Sequence, residues 1–200
     1  GGGAAASRAS CEPSAVVEFA RRVLEATHAD RSGSALEEVT RHLFLARGYA
    51  APARRSGPND GGIDLWIYDE DDNAEVVQCK SKAKASVPVD EVRRLIGAMQ
   101  LAGVRRGHLV SNSNFTAEAR DAARAFNSLH ASSSSSSSAR WLTLHSAHEL
   151  SAQLHLLHAS LRASPFFVAL LDTHDPSGRR DSRHRDTHAT RARDTRSLDR

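Results

Sequence analysis

The feature that most constrains the fold is a pair of short apolar runs separated by five polar residues. Ile63–Tyr68 and Ala74–Lys80 are rich in β-branched and aromatic side chains, and the acidic run 69–73 lies between them. This pattern is typical of two antiparallel strands joined by a five-residue hairpin loop. Pairing that is symmetric about the centre of the loop predicts three opposed pairs: Tyr68 with Ala74, Trp66 with Val76, and Asp64 with Gln78.

The predicted pairing brings polar side chains together on one face of the hairpin. Directly opposed residues lie about 5 Å apart at Cβ, and residues two apart on a strand point the same way. Asp64, Gln78 and Lys80 are therefore expected to converge on one patch, with Cys79 on the opposite face. A two-residue turn would change the parity and place Cys79 opposite Asp64 instead.

The three converging side chains suit the hydrolysis of a phosphodiester bond. Mg²⁺ prefers oxygen ligands and is usually held by one or two carboxylates together with waters and substrate phosphate. Asp64 would supply the carboxylate, the Gln78 amide a neutral oxygen, and the backbone carbonyl of Cys79 a further oxygen. The Lys80 ammonium would orient or help to deprotonate the attacking water and would stabilise charge on the phosphate.

Five short motifs extend this pattern along the chain. They are Glu37 on a predicted helix, Gly48-Tyr49, the run 60–64 (DGGID), the run 77–80 (VQCK) and the run 114–119 (NFTAEA). In order and spacing they resemble the catalytic domain of Mrr-type restriction endonucleases, a branch of the PD-(D/E)xK nuclease superfamily in which glutamine replaces the usual second acid. The resemblance covers about Leu36 to Leu154. Ser111 departs from the threonine that the family often has.

The resemblance implies a fold, an activity and a set of site residues. The implied fold is the restriction endonuclease-like α/β fold, a mixed central β-sheet flanked by α-helices. The implied activity is cleavage of DNA with Mg²⁺, for which Mn²⁺ could substitute. Catalytic roles are implied for Glu37, Asp64, Gln78 and Lys80, with Glu37 as an additional metal ligand. A homodimer is expected, because cleavage of both strands by domains with one site commonly needs two subunits.

The sequence leaves several alternatives open. The run 34–37 (SALE) matches a capping box, so the Glu37 carboxylate could reach back to the Ser34 amide instead of entering a site. A non-catalytic DNA-binding module could share the fold, and so could an RNA-processing or junction-resolving nuclease. The run 111–114 (SNSN) follows a predicted buried strand and could supply ligand groups or form only a turn.

Basic residues near the predicted site are candidates for contacts with DNA phosphates. Lys82 and Lys84 lie in the segment that leaves the second hairpin strand, and Arg93 and Arg94 lie on the next predicted helix. Such contacts position a protein on DNA without reading sequence. The formal charge of +3 and the pI of about 9.2 are compatible with a polyanionic partner but do not require one.

The chain divides into four predicted parts. Residues 1–33 comprise a low-complexity leader and an amphipathic helix over Pro13–Thr27. Residues 34–162 form the nuclease-like domain, with an insertion at the serine run 132–138. Residues 163–174 are a short apolar segment, and residues 175–200 form an arginine-rich tail that is expected to be disordered.

Composition limits the compartment without identifying it. Two cysteines provide no disulfide framework and favour a reducing, intracellular setting. No apolar run approaches the ~20 residues that a membrane-spanning helix needs. The chain has no initiator methionine, and its leader fits either trimmed low-complexity sequence or the remnant of an organellar transit peptide.

Overall fold

The computed structural model of the protein describes residues 14–51, 62–82, 85–131 and 141–174. The predictions for Asp60, Lys84, the serine run and the arginine-rich tail lie outside these residues. In the described part of the chain, none of the helices combines the length and the apolar character needed to cross a bilayer.

A four-stranded mixed sheet forms the centre of the described structure. Its strands are β1 (Leu65–Tyr68), β2 (Ala74–Lys80), β3 (Arg106–Ser111) and β4 (Trp141–His145), and they lie in that order. β1 pairs with β2 antiparallel, whereas the β2–β3 and β3–β4 pairs are parallel. This arrangement confirms the predicted α/β fold with a mixed sheet.

Helices occupy both faces of the sheet. They are α1 (Ala15–Ala29), α2 (Ser34–Ala46), α3 (Val89–Leu101), α4 (Ala117–Ala131), α5 (Ala147–Leu156), α6 (His158–Leu161) and α7 (Pro165–Thr173). One apolar cluster joins α1, α2 and α5 to α7 with alternate residues of β1 and β2, including Leu65 and Val77. The other cluster joins α3 and α4 to residues that face the opposite way on the strands, including Val76, and to Ile63, which precedes β1. The strands are thus buried on both sides, as their continuous apolar character predicts.

The hairpin register is the predicted one. Tyr68 pairs with Ala74 and Trp66 with Val76, and the ladder ends at the pair Leu65 and Val77. The Asp69 carboxylate holds the loop, since its Oδ1 accepts hydrogen bonds from the backbone N–H of Asp71 at 3.1 Å and of Asn73 at 2.8 Å. Extending the register by one residue places Asp64 opposite Gln78.

The start of α2 differs from the predicted capping box. The residue before the helix is Gly33, and the carboxylate of Asp30 accepts the backbone N–H of Ala35 at 2.7 Å. This hydrogen bond is the first of several that lower the pKa of Asp30 to about 2. The Ser34 N–H donates to Ser32 Oγ at 3.2 Å, so the predicted return bond from Glu37 to Ser34 is wrong. Asp30 lies outside the four-residue window of the motif, yet it takes over the capping role.

Helical segments on either side of the predicted nuclease-like domain pack onto it. Phe19 and Val23 of α1 and Phe167 of α7 belong to the same buried cluster as α2. Leu157 separates the successive helices α5 and α6.

A chain of hydrogen bonds between polar side chains crosses the apolar layer beneath α2. Gln153 Nε2 lies 3.0 Å from His145 Nδ1, and His145 Nε2 lies 3.1 Å from His108 Nδ1. His108 Nε2 then lies 2.7 Å from Glu75 Oε2. Because an amide nitrogen only donates, each neutral imidazole here accepts at Nδ1 and donates from Nε2, and the chain of donors ends on the carboxylate. His108 is thus a strand histidine with both ring nitrogens in hydrogen bonds.

Burial sets the charge state of this chain. Burial, followed by the electrostatic influence of His108 and Arg47, lowers the pKa of His145 to about 3. Burial alone would raise the pKa of Glu75, but hydrogen bonds from His108 and Arg106 outweigh it, so the pKa of Glu75 is below its ordinary value. The carboxylate is thus ionised and His145 is neutral near pH 7.

The free energy of unfolding is expected to fall as the pH is lowered from 7 to 5. His145 stays neutral in the folded protein down to a pKa of about 3, whereas in the unfolded chain it takes up a proton near its ordinary pKa of about 6.5. The unfolded state therefore binds more protons in this range, and each pH unit removes up to about 1.4 kcal/mol. Urea unfolding at pH 7 and pH 5 measures this slope. The variant His145→Asn should flatten it, and an unchanged slope would contradict the assignment.

Candidate active site

A buried amide without hydrogen bonds marks the carboxyl end of β2. Gln78 is only 1% exposed, and neither its Oε1 nor its Nε2 has a hydrogen-bond partner in the described part of the chain. A buried polar atom without a partner costs about 1–3 kcal/mol, so such atoms are rare in folded proteins. The Gln78 side chain is therefore available to a group other than those that the described residues provide.

Gly62 lies directly against this amide. A Cβ at Gly62 would be 3.0 Å from Gln78 Nε2 and 4.0 Å from Arg94 Cδ, and its φ of +85° is a left-handed conformation that side chains rarely adopt. Glycine at this position thus serves two purposes, since it allows the turn before β1 and leaves room for the Gln78 side chain.

Asp64 is fixed between the turn and β2. Its backbone N–H donates to the Val77 carbonyl at 2.9 Å, and its Oδ2 accepts the backbone N–H of Cys79 at 2.6 Å. The carboxylate is thereby held beside the main chain of the residue that follows Gln78. The predicted neighbours Asp64, Gln78 and Cys79 meet at this end of the hairpin.

Lys80 is paired with an acidic residue that sequence reasoning missed. The Lys80 Nζ lies 3.3 Å from Glu91 Oε2 in the first turn of α3, and the Lys80 side chain is 26% exposed. The same Glu91 oxygen accepts a hydrogen bond from Arg94 Nη1 at 2.6 Å. The only local signal was the three-residue spacing from Glu91 to Arg94, which is that of an ordinary helix-surface pair.

The segment after Lys80 is anchored by a buried asparagine. Asn112 Oδ1 accepts the backbone N–H of Lys82 at 3.0 Å, and its Nδ2 donates to Ser81 Oγ at 3.0 Å and to Thr27 Oγ1 at 3.3 Å. Ser111 Oγ also donates to the Lys80 carbonyl at 2.7 Å. These two residues of the run 111–114 therefore hold the chain on which Lys80 sits.

Three further predicted site residues, Glu37, Arg93 and Arg94, lie on the helices α2 and α3. Glu37 lies in the first turn of α2, which begins near the end of β2, since a Cβ at Gly33 would be 4.0 Å from Ser81 Cβ. Arg94 lies beside Gly62, whereas Arg93 pairs with Asp90 at 3.1 Å through side chains that are 69% and 73% exposed. Arg94 therefore borders the turn at Gly62 and Arg93 lies in an exposed ion pair, although the sequence predicted the same phosphate contacts for both.

The oxygen groups at this site are those that a hard divalent cation prefers. A carboxylate, an amide oxygen and backbone carbonyls are suitable ligands for Mg²⁺, and the unpartnered Gln78 amide fits a ligand role. No cluster of three or more His, Cys, Asp or Glu side chains that could hold a metal occurs among the described residues. The donor set therefore depends on the amide and the main chain as well as on Asp64.

Comparison with known families identifies the same region of the chain. The family model of the Mrr catalytic domain, described as a restriction endonuclease, matches residues 29–135, which is 107 of 200 residues. The match includes Glu37, Asp64, Gln78 and Lys80 but ends before β4. No curated protein matches the chain.

Alanine at position 62 is expected to disturb Gln78, whereas alanine at position 48 should not. Gly48 has a similar φ of +91°, and a Cβ added there would have nothing within 4 Å, so both substitutions carry the same left-handed backbone cost of about 1–2 kcal/mol. Urea unfolding should show comparable losses of stability. Only Gly62→Ala should shift the side-chain amide resonances of Gln78 in a ¹H–¹⁵N spectrum. Unshifted Gln78 resonances would contradict the close contact.

Proposed function

We propose that this chain, which belongs to the Mrr-type restriction endonuclease family and carries its nuclease domain, is a Mg²⁺-dependent endonuclease that hydrolyses phosphodiester bonds in DNA. The observation that carries the proposal is the buried, unpartnered Gln78 amide. The same hairpin carries a carboxylate that the Cys79 N–H holds, Asp64, and a cation two residues after Gln78, Lys80. A site that is costly to leave unliganded is expected to have a ligand.

Asp64, Gln78 and the backbone carbonyl of Cys79 are the proposed metal-binding groups. Glu37 is an additional candidate, because α2 begins beside the end of β2 and the Ser34 amide, which the capping alternative would use, donates to Ser32 Oγ. These groups would hold Mg²⁺, which would supply Lewis-acid activation of the phosphate and of water. The protein keeps these oxygens in place before substrate arrives. For the Asp64 carboxylate, the hydrogen bond from the Cys79 N–H provides this support.

Lys80 is proposed to act on the attacking water and on the phosphate. Its ammonium has three donors and no acceptor. One donor direction is taken by Glu91, which leaves two for the water and for a non-bridging phosphate oxygen. As the water attacks phosphorus and the bond to the leaving oxygen breaks, negative charge grows on the phosphate oxygens, and a fixed ammonium stabilises that charge.

The nucleic-acid surface is proposed to extend from this end of the hairpin. Lys82 follows β2, and its backbone N–H donates to Asn112. Arg94 lies beside the turn at Gly62. Lys84 and Arg93 are further candidates for phosphate contacts, and two subunits would be needed if the protein cuts both strands.

The variant Lys80→Ala is expected to lose Mg²⁺-dependent cleavage of supercoiled and linear DNA by at least about 100-fold, because the charge that stabilises the reacting phosphate is removed. Gel assays with Mg²⁺ or Mn²⁺, and with EDTA as the metal-free control, measure cleavage. The control Lys82→Ala should weaken binding yet retain cleavage at saturating DNA.

Assays of RNA cleavage and of DNA binding by the parent complete this test, and three outcomes would overturn the proposal. Equal cleavage by Lys80→Ala and the parent would exclude this site as the source of the activity. Cleavage of RNA but not of DNA would favour an RNA-processing nuclease. Metal-dependent DNA binding by the parent without any cutting would favour a non-catalytic binding module.

The variant Arg94→Ala is expected to weaken DNA binding more than Arg93→Ala does. Arg94 lies next to the Gln78 turn, whereas Arg93 extends into solvent beside Asp90. Loss of one phosphate contact should reduce the slope of log K against log salt by about 1. Titrations of DNA binding at several salt concentrations, with Ca²⁺ in place of Mg²⁺, measure the slope. Equal slopes for the two variants would contradict the distinction.

A further inference from the structure

Glu91 joins two cationic side chains near the Gln78 amide through a single oxygen. Its Oε2 lies 3.3 Å from Lys80 Nζ and 2.6 Å from Arg94 Nη1. The Glu91 side chain is 14% exposed. The Lys80 side chain is 26% exposed and that of Arg94 is 54% exposed, so the contact between Glu91 and Lys80 is the better shielded of the two and is expected to be screened less by salt.

The neighbouring pair on the same helical turn provides a natural comparison. Asp90 and Arg93 are also three residues apart, and their side chains are 73% and 69% exposed. An exposed pair of this kind contributes little to structure. Glu91 differs because it reaches from α3 to the end of β2 as well as along its own helix.

Both partners of Glu91 lie where a substrate phosphate would lie. Lys80 follows Gln78 by two residues on β2 and shares its face of the sheet. Arg94 Cδ is 4.0 Å from the Cβ position of Gly62, which is itself 3.0 Å from Gln78 Nε2. Glu91 is therefore the shared acceptor of two cations that border the same amide.

We propose that Glu91 is a positioning residue, which fixes the Lys80 ammonium and the Arg94 guanidinium at a set separation so that both meet one phosphate. This inference rests on the proposed nuclease function. Lysine has a long flexible side chain that many rotamers would otherwise spread over space. Holding it in one place raises turnover, because small displacements of a group that acts on the reacting atoms are costly. Fixing the Lys80 ammonium changes substrate affinity much less than it changes turnover.

The matched pair of variants for the test is Glu91→Gln and Asp90→Asn. Each removes one negative charge from the first turn of α3 and one ion pair to an arginine three residues later. Any general gain in DNA affinity from the lost charge is thus common to both. Only Glu91→Gln removes the contact with Lys80. Urea unfolding of both variants checks the fold, and Glu91→Asp serves as the conservative variant that restores the charge.

Steady-state cleavage of DNA with Mg²⁺ gives kcat and KM separately. Glu91→Gln is expected to lower kcat by about tenfold relative to both the parent and Asp90→Asn, with KM within about twofold. Glu91→Asp should recover part of the loss. Equal kcat for Glu91→Gln and Asp90→Asn, or a change confined to KM, would overturn the positioning role while leaving the nuclease function intact. Absence of cleavage by the parent would instead overturn the proposed function, and the positioning role with it.

Discussion

The antiparallel pairing of β1 with β2 decides which side chains meet at the end of the hairpin. Opposed residues share a face and successive residues point apart. The pairing of Leu65 with Val77 directs Val77 into the apolar layer beneath α2 and leaves Gln78 on the side of α3. A shift by one residue would exchange the two layers. The site therefore depends on backbone register before it depends on any single side chain.

Two buried polar side chains on β2 have opposite effects on the stability of the fold. Glu75 ends a chain of donors that includes both buried histidines, and a fully satisfied network of this kind stabilises a core. Gln78, three residues later, has both amide atoms without a partner in the described structure, which costs stability. Glu75 therefore stabilises the fold, whereas Gln78 lies where a ligand would be accommodated.

Much of the fold follows from local pattern, because strand alternation and turn composition are short-range properties. The bounds of β2 and the cap of α4 by Thr116, whose Oγ1 accepts the Ala119 N–H at 3.2 Å, could be predicted in this way. Partners chosen by tertiary packing could not, and Glu91 and Asn112 are examples, since their contacts lie across elements. The capping box at 34–37 failed for a local reason, because Asp30 and Ser32, just before the motif, accept the first amides of the helix. The role of Glu37 came from family resemblance and stays a prediction.

The segment that sequence comparison detects and the unit that folds have different limits. Thr27 lies just before the matched residues, and its carbonyl and hydroxyl bond Ser81 and Asn112, which hold the chain beyond Lys80. β4 lies beyond the end of the match and pairs with β3. A segment trimmed to the match would keep every proposed catalytic side chain but lose part of their support. The unit that recombination could transfer intact between proteins is therefore larger than the unit that family comparison recognises.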